Sequence, residues 1–83
     1  MPLFIDVHTL DATVTLAEAA QAHQADVATQ AGFGVDYQRY WVDEDRGKIF
    51  CLVEAPDAEA ASTVHREAHG LVADHIYPVV EGS

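Results

Sequence analysis

Two β-prone runs separated by an acidic break containing a glycine constrain this chain more than any other feature. Val35-Asp36-Tyr37-Gln38-Arg39-Tyr40-Trp41-Val42 is rich in aromatic and β-branched residues. Asp43-Glu44-Asp45-Arg46-Gly47 interrupts it, and Lys48-Ile49-Phe50-Cys51-Leu52-Val53-Glu54 resumes at once. The pattern predicts an antiparallel hairpin that forms strands two and three of a sheet.

The flanking segments supply the rest. Leu3 to His8 alternate with a period of two and read as a first strand. Thr15 with Glu18 three residues on is a capping box, and Gly32 is placed to end a helix, so helix one is expected from about Thr15 to Ala31. Its inward stripe is read as Leu16, Ala20, His23, Val27 and Ala31. Pro56, Asp57 and Glu59 suit the first turn of a second helix that Gly70 closes, with Ala61, Val64 and Ala68 inward. Asp74 to Val80 reads as a fourth strand, placed at an edge by Pro78.

Strand, helix, strand, strand, helix, strand is the split βαβ order. It predicts an α+β, ferredoxin-like βαββαβ domain spanning residues 1–83, a four-stranded antiparallel sheet with both helices on one face. Leu3, Ile5 and Val7 are expected to face the helices with Ile49, Cys51 and Val53. Phe4, Asp6, His8, Phe50, Leu52 and Glu54 are then left on the open face. Large apolar side chains on an uncovered sheet predict a homodimer formed through that sheet. A chain of 83 residues has one modest core, and with a single cysteine it has no disulfide framework to help, which also favours pairing.

Fourteen acidic residues against four basic ones give a formal charge of -10. Such a surface repels phosphate backbones and anionic membranes, so neither nucleic acid nor a membrane is an expected partner, while cations are attracted. The opening MPLFIDVHTL lacks a basic stretch and a long apolar run, and the lone cysteine agrees with a reducing compartment, so the expected location is cytoplasmic.

Chemistry is sought among the histidines and carboxylates. Topology draws His8, the acidic hairpin Asp43 to Asp45, His65, His69 and His75 towards one end of the sheet. Asp6 and His8 project from one face of a strand and can offer oxygen and nitrogen to one cation, with Glu54 joining from strand three; the plainer reading makes them polar groups at an interface. His65 and His69 lie one helical turn apart, the spacing of two imidazole ligands, or else one caps the helix end and the other is solvated. His23 reads as a core histidine and Cys51 as a small core residue. Tyr37, Tyr40 and Trp41 read as packing or interface groups. No glycine-rich phosphate loop, C-x-x-C pair or G-x-S-x-G elbow is present, so phosphoryl transfer and serine hydrolysis find no support.

The runs Phe4-Ile5-Asp6-Val7-His8, Trp41 through Pro56, and Val64-His65-Arg66-Glu67-Ala68-His69-Gly70 together resemble the small ferredoxin-like nickel-binding proteins of Streptomyces and their uncharacterised relatives. The resemblance implies a ferredoxin-like dimer that holds nickel through nitrogen and oxygen ligands, without an established catalytic role; with the acidic, histidine-bearing composition, the expected function is sequestration or homeostasis of a divalent metal. Carried onto this chain, the ligands are Asp6, His8, Glu54, His65 and His69. The same donors suit zinc or copper. The competing expectation is a dimeric α+β barrel enzyme acting on a small organic substrate between paired sheets, with His8, His65 or Tyr37 as acid or base.

Overall fold

The computed structural model describes residues 2–83. Strand β1 (Leu3–Thr9) leads to helix α1 (Leu16–Thr29), a 3₁₀ turn (Gln30–Phe33), β2 (Asp36–Asp43), β3 (Lys48–Glu54), α2 (Ala58–Ala68) and β4 (His75–Val79). All pairings are antiparallel and the strand order is β2-β3-β1-β4, the ferredoxin-like arrangement, with β4 and its Pro78 at an edge.

Local chemistry explains the elements. The Thr15 side chain accepts from the Glu18 amide while the Glu18 side chain accepts from the Thr15 amide, closing the predicted capping box. Asp57 caps α2 by accepting from the Ala60 amide. Gly47 ends the hairpin at φ 65°, where a Cβ would collide with the Ala12 carbonyl, so the turn and the β1–α1 connection can approach only because this residue is glycine. That approach is used: the Leu10 amide donates to the Gly47 carbonyl, and Glu44 accepts from the Leu16 amide at the start of α1.

The core lies between the helices and one sheet face. It joins Ala19 of α1 and Ala61 and Val64 of α2 to Phe4, Tyr37, Ile49, Cys51 and Val53. Four expectations give way to the structure. The β1 phase is inverted: Phe4, Asp6 and His8 are buried beneath the helices, and Leu3, Ile5 and Val7 point to the open face. Hydrophobicity did not settle that strand, because its helix-facing polar groups find buried partners. The α1 stripe is rotated so that Ala19 and Asp26 are buried, with Leu16 and Val27 exposed. Helix α1 also stops before Gly32, and it is Gly34 that takes the left-handed conformation. In α2 the buried set is Ala61, Val64 and His65, with Ala68 only partly covered.

An irregularity in β2 between Tyr37 and Arg39 breaks the alternation. Tyr37 opposes Val53 and Tyr40 opposes Cys51, so both tyrosines face the helices although they are three residues apart. The open face carries Leu3, Ile5, Val7, Phe50 and Leu52 with Arg39, Trp41 and Tyr77, and is more apolar than the sequence reading had it.

Candidate metal centre

Three elements bring the polar core together. Asp6 and His8 project inward from β1, Cys51 projects inward from β3 directly opposite Asp6, and His65 descends from α2. One donor atom from each of these four residues lies within 4.8 Å of the others, and all four side chains are buried. His65 Nε2 is 2.9 Å from Asp6 Oδ2 and 3.2 Å from His8 Nε2, and His8 Nε2 is 3.4 Å from Asp6 Oδ1. Two imidazole nitrogens and a carboxylate thus converge in the interior. Among the described residues Asp6 Oδ1 has no hydrogen-bond partner, an uncommon state for a buried oxygen.

Behind this group stands a second carboxylate. Asp26 Oδ1 is 2.9 Å from His65 Nδ1 and 3.0 Å from His69 Nε2. His69 accepts the Leu71 amide at Nδ1, which leaves the ring proton on Nε2, beside Asp26 but out of alignment with it. The Tyr37 hydroxyl donates to Asp6 Oδ2 at 2.7 Å and lies 3.1 Å from the Ala61 carbonyl.

Of the residues carried over as ligands, Asp6, His8 and His65 meet. His69 turns to Asp26, and Glu54 lies on the other side of the sheet, opposite Leu3, where it accepts from Gln38. His75 opposes Val7 on the open face and stacks on Tyr77. The hairpin acids serve the fold: Glu44 caps α1 and Asp43 pairs with Arg46. His23 lines the cavity beside the centre against Tyr40, its ring centroids 4.8 Å away. Cys51 faces inward as expected, but sequence reading did not place it beside Asp6, and it set Asp26 beside His23 in the core without giving it a part in the site. The signals were an aspartate three residues after His23 on an alanine-rich helix, and the cross-strand register of Asp6 with Cys51.

The chain matches the family model of nickel responsive, SCO4226-like proteins over residues 4–79. The chain belongs to the SCO4226-like family. No curated protein matches it. The crystal structure of SCO4226 from Streptomyces coelicolor A3(2) is similar at 40% identity and a TM-score of 0.90, over 98% of this chain and 99% of that one.

Electrostatics of this SCO4226-like core follow from the geometry. Burial alone would raise Asp6, but the His65 imidazole, the nearby His8 ring and the Tyr37 hydroxyl outweigh it and hold the carboxyl below the usual range. Burial alone would lower His65, yet Asp26 and Asp6 at its two nitrogens raise it to about 9, making it an imidazolium at neutral pH. Burial, reinforced by the Asp6 charge, pushes both the Tyr37 hydroxyl and the Cys51 thiol up. His69 is lowered, mainly by burial.

The adjoining cavity, lined in part by His8, His23, Asp26, His65 and His69, holds about 20 Å³. That is room for a water-sized occupant, far short of the roughly 300 Å³ at which small-molecule sites begin. The donor set fits a divalent transition metal once His65 has given up its proton: neutral imidazole and carboxylate are standard ligands, and Asp6 Oδ1 is an oxygen without a hydrogen-bond partner among the described residues.

Proposed function

We propose that the protein binds a divalent transition metal, nickel first among the options, through Asp6, His8 and His65, and that it serves sequestration or homeostasis as a cytoplasmic homodimer. The observation that carries this reading is the convergence of His8 Nε2, His65 Nε2 and the Asp6 carboxylate at 2.9–3.4 Å in the interior, with Asp6 Oδ1 unpartnered. Two supports stand behind the ligands. Asp26 accepts from His65 Nδ1 and the Tyr37 hydroxyl donates to Asp6, the outer hydrogen bonds that orient metal-binding side chains. Nickel is placed first because the family is described as nickel responsive.

The dimer is supported by the open sheet face, where Leu3, Ile5, Val7, Phe50 and Leu52 sit beside half-exposed Trp41 and Tyr77. The same face weighs against the enzyme reading. His8, His65 and Tyr37, its proposed acids and bases, are all buried beneath the helices and do not line a space between sheets.

Titration calorimetry of apo-protein with nickel, copper and zinc tests the function. Binding tighter than about 0.1 mM, roughly 5.5 kcal/mol, is expected in the native chain, with a large loss in His8→Ala and Asp6→Asn. Absence of such binding, or its persistence in both variants, removes this centre from the reading.

A further inference from the structure

We propose that Cys51 is the fourth ligand of the buried centre and makes it a two-nitrogen, one-oxygen, one-sulfur site for a thiophilic divalent cation of the zinc and cobalt(II) type. This rests on the metal-binding reading above and deepens it by adding a ligand, with zinc and cobalt(II) as the ions that report a sulfur donor.

Three observations carry it. Cys51 is the cross-strand partner of Asp6, and residues directly opposite on an antiparallel pair present their side chains on the same face. Its sulfur accordingly belongs to the group with Asp6, His8 and His65 whose donors lie within 4.8 Å of one another. Its strand neighbours on the same face, Ile49 and Val53, are aliphatic, so the one polarizable side chain of inward-facing β3 stands where the polar cluster is. Independently, Asp6 is 1% exposed and its Oδ1 lacks a hydrogen-bond partner among the described residues, which marks an unfilled donor position in the group that includes the thiol. Two imidazoles, a carboxylate and a thiolate are four ligands of the kinds zinc takes in tetrahedral sites, whereas square-planar or tetragonal nickel sites favour nitrogen and oxygen. An all-nitrogen-and-oxygen set from Asp6, His8 and His65 alone would leave the sulfur idle at the site's edge.

X-ray absorption on the zinc-loaded native protein tests the ligand without a substitution. One sulfur neighbour at about 2.3 Å is expected. A first shell of nitrogen and oxygen only overturns the proposal and leaves the metal-binding reading standing, while failure of the native chain to retain zinc, cobalt or nickel overturns both. Cobalt(II) gives a second readout. The native complex should show the near-ultraviolet sulfur-to-cobalt charge-transfer band, and Cys51→Ser, checked for native fold by circular dichroism, should still take up cobalt but lose the band. Cys51→Ala should behave in the same way if the serine variant does not fold. A cobalt spectrum unchanged by either folded variant counts against Cys51 as a ligand.

Discussion

His65 is the residue on which the interior turns, because its two ring nitrogens each face a buried carboxylate at 2.9 Å. Replacing one member of a buried ionic group strands the others, at a cost of about 3–5 kcal/mol. His65→Gln keeps volume and polarity but removes the cation between Asp6 and Asp26, so a loss of that size is expected in urea unfolding of apo-protein. A loss under about 1 kcal/mol would mean that the two carboxylates are adequately served without it. The pH dependence follows from the sign of the shift. His65 is raised from 6.5 to about 9, so its contribution is complete below about 6.5 and is lost as pH rises through about 9. Asp6 is lowered from 3.8, so its contribution is present above that value and fades as pH falls through its depressed one. Apo-protein melting temperature should therefore decline on the alkaline side between those His65 values, and a flat profile would contradict the imidazolium. Metal affinity should move the opposite way, since a ligand imidazole must first give up its proton; nickel titrations at pH 6, 7.5 and 9 would show it. The sequence exposed His65 and His69 as neighbours on one helical face. It showed Asp26 near His23 but not its pairing with His65, which depends on two helices meeting across 39 residues of chain.

At the scale of elements, the hairpin turn is the sharpest test of the local reasoning. Gly47 and Gly70 both sit at positive φ, but an added Cβ at Gly70 meets nothing within 4 Å, while at Gly47 it meets the Ala12 backbone. Gly70→Ala should cost about the 1–2 kcal/mol of a left-handed L-residue. Gly47→Ala should cost clearly more and should also weaken the start of α1, because Glu44 and the Gly47 carbonyl hold that connection. Equal losses in chemical unfolding would show that the β1–α1 connection yields easily. The same hairpin was readable in advance, as were β3, found as Lys48–Glu54, and the Thr15–Glu18 capping box. Each is decided within a few residues. The phases of β1 and α1 were not readable, for one shared reason. Either face of Leu3–His8 contains apolar residues, and α1 offers two stripes of alanines, so choice of face falls to the polar partners. Asp6, His8 and Asp26 go inward because His65 meets all three there and Tyr37 meets Asp6, and a hydrophobicity pattern carries no record of that.

For the molecule as a whole, inverting β1 alters the balance of its two faces. Asp6 and His8, expected on the open sheet with Glu54, are inside, Glu54 stays where it was expected, and Leu3, Ile5 and Val7 stand beside Phe50 and Leu52. Pairing through this face would cover the apolar patch, but each copy brings a formal charge of -10, and like charges oppose association. The two effects separate experimentally. Screening shortens charge interactions to about 10 Å at 0.1 M salt, so if the proposed dimer forms through this face, sedimentation should show it tightening as sodium chloride is raised from low ionic strength. Leu52→Arg makes the test sharper, because it lowers the net negative charge by one while placing a charge in the middle of the apolar face. If repulsion alone governed assembly, this variant would pair better than the native chain. If burial of the open sheet governs it, the variant should sediment as a monomer at every salt concentration and still bind metal, since its substitution lies across the sheet from Asp6, His8 and His65. A Leu52→Arg protein that remains dimeric would place the contact elsewhere, with exposed Leu16 and Val27 on α1 as the next surface to probe.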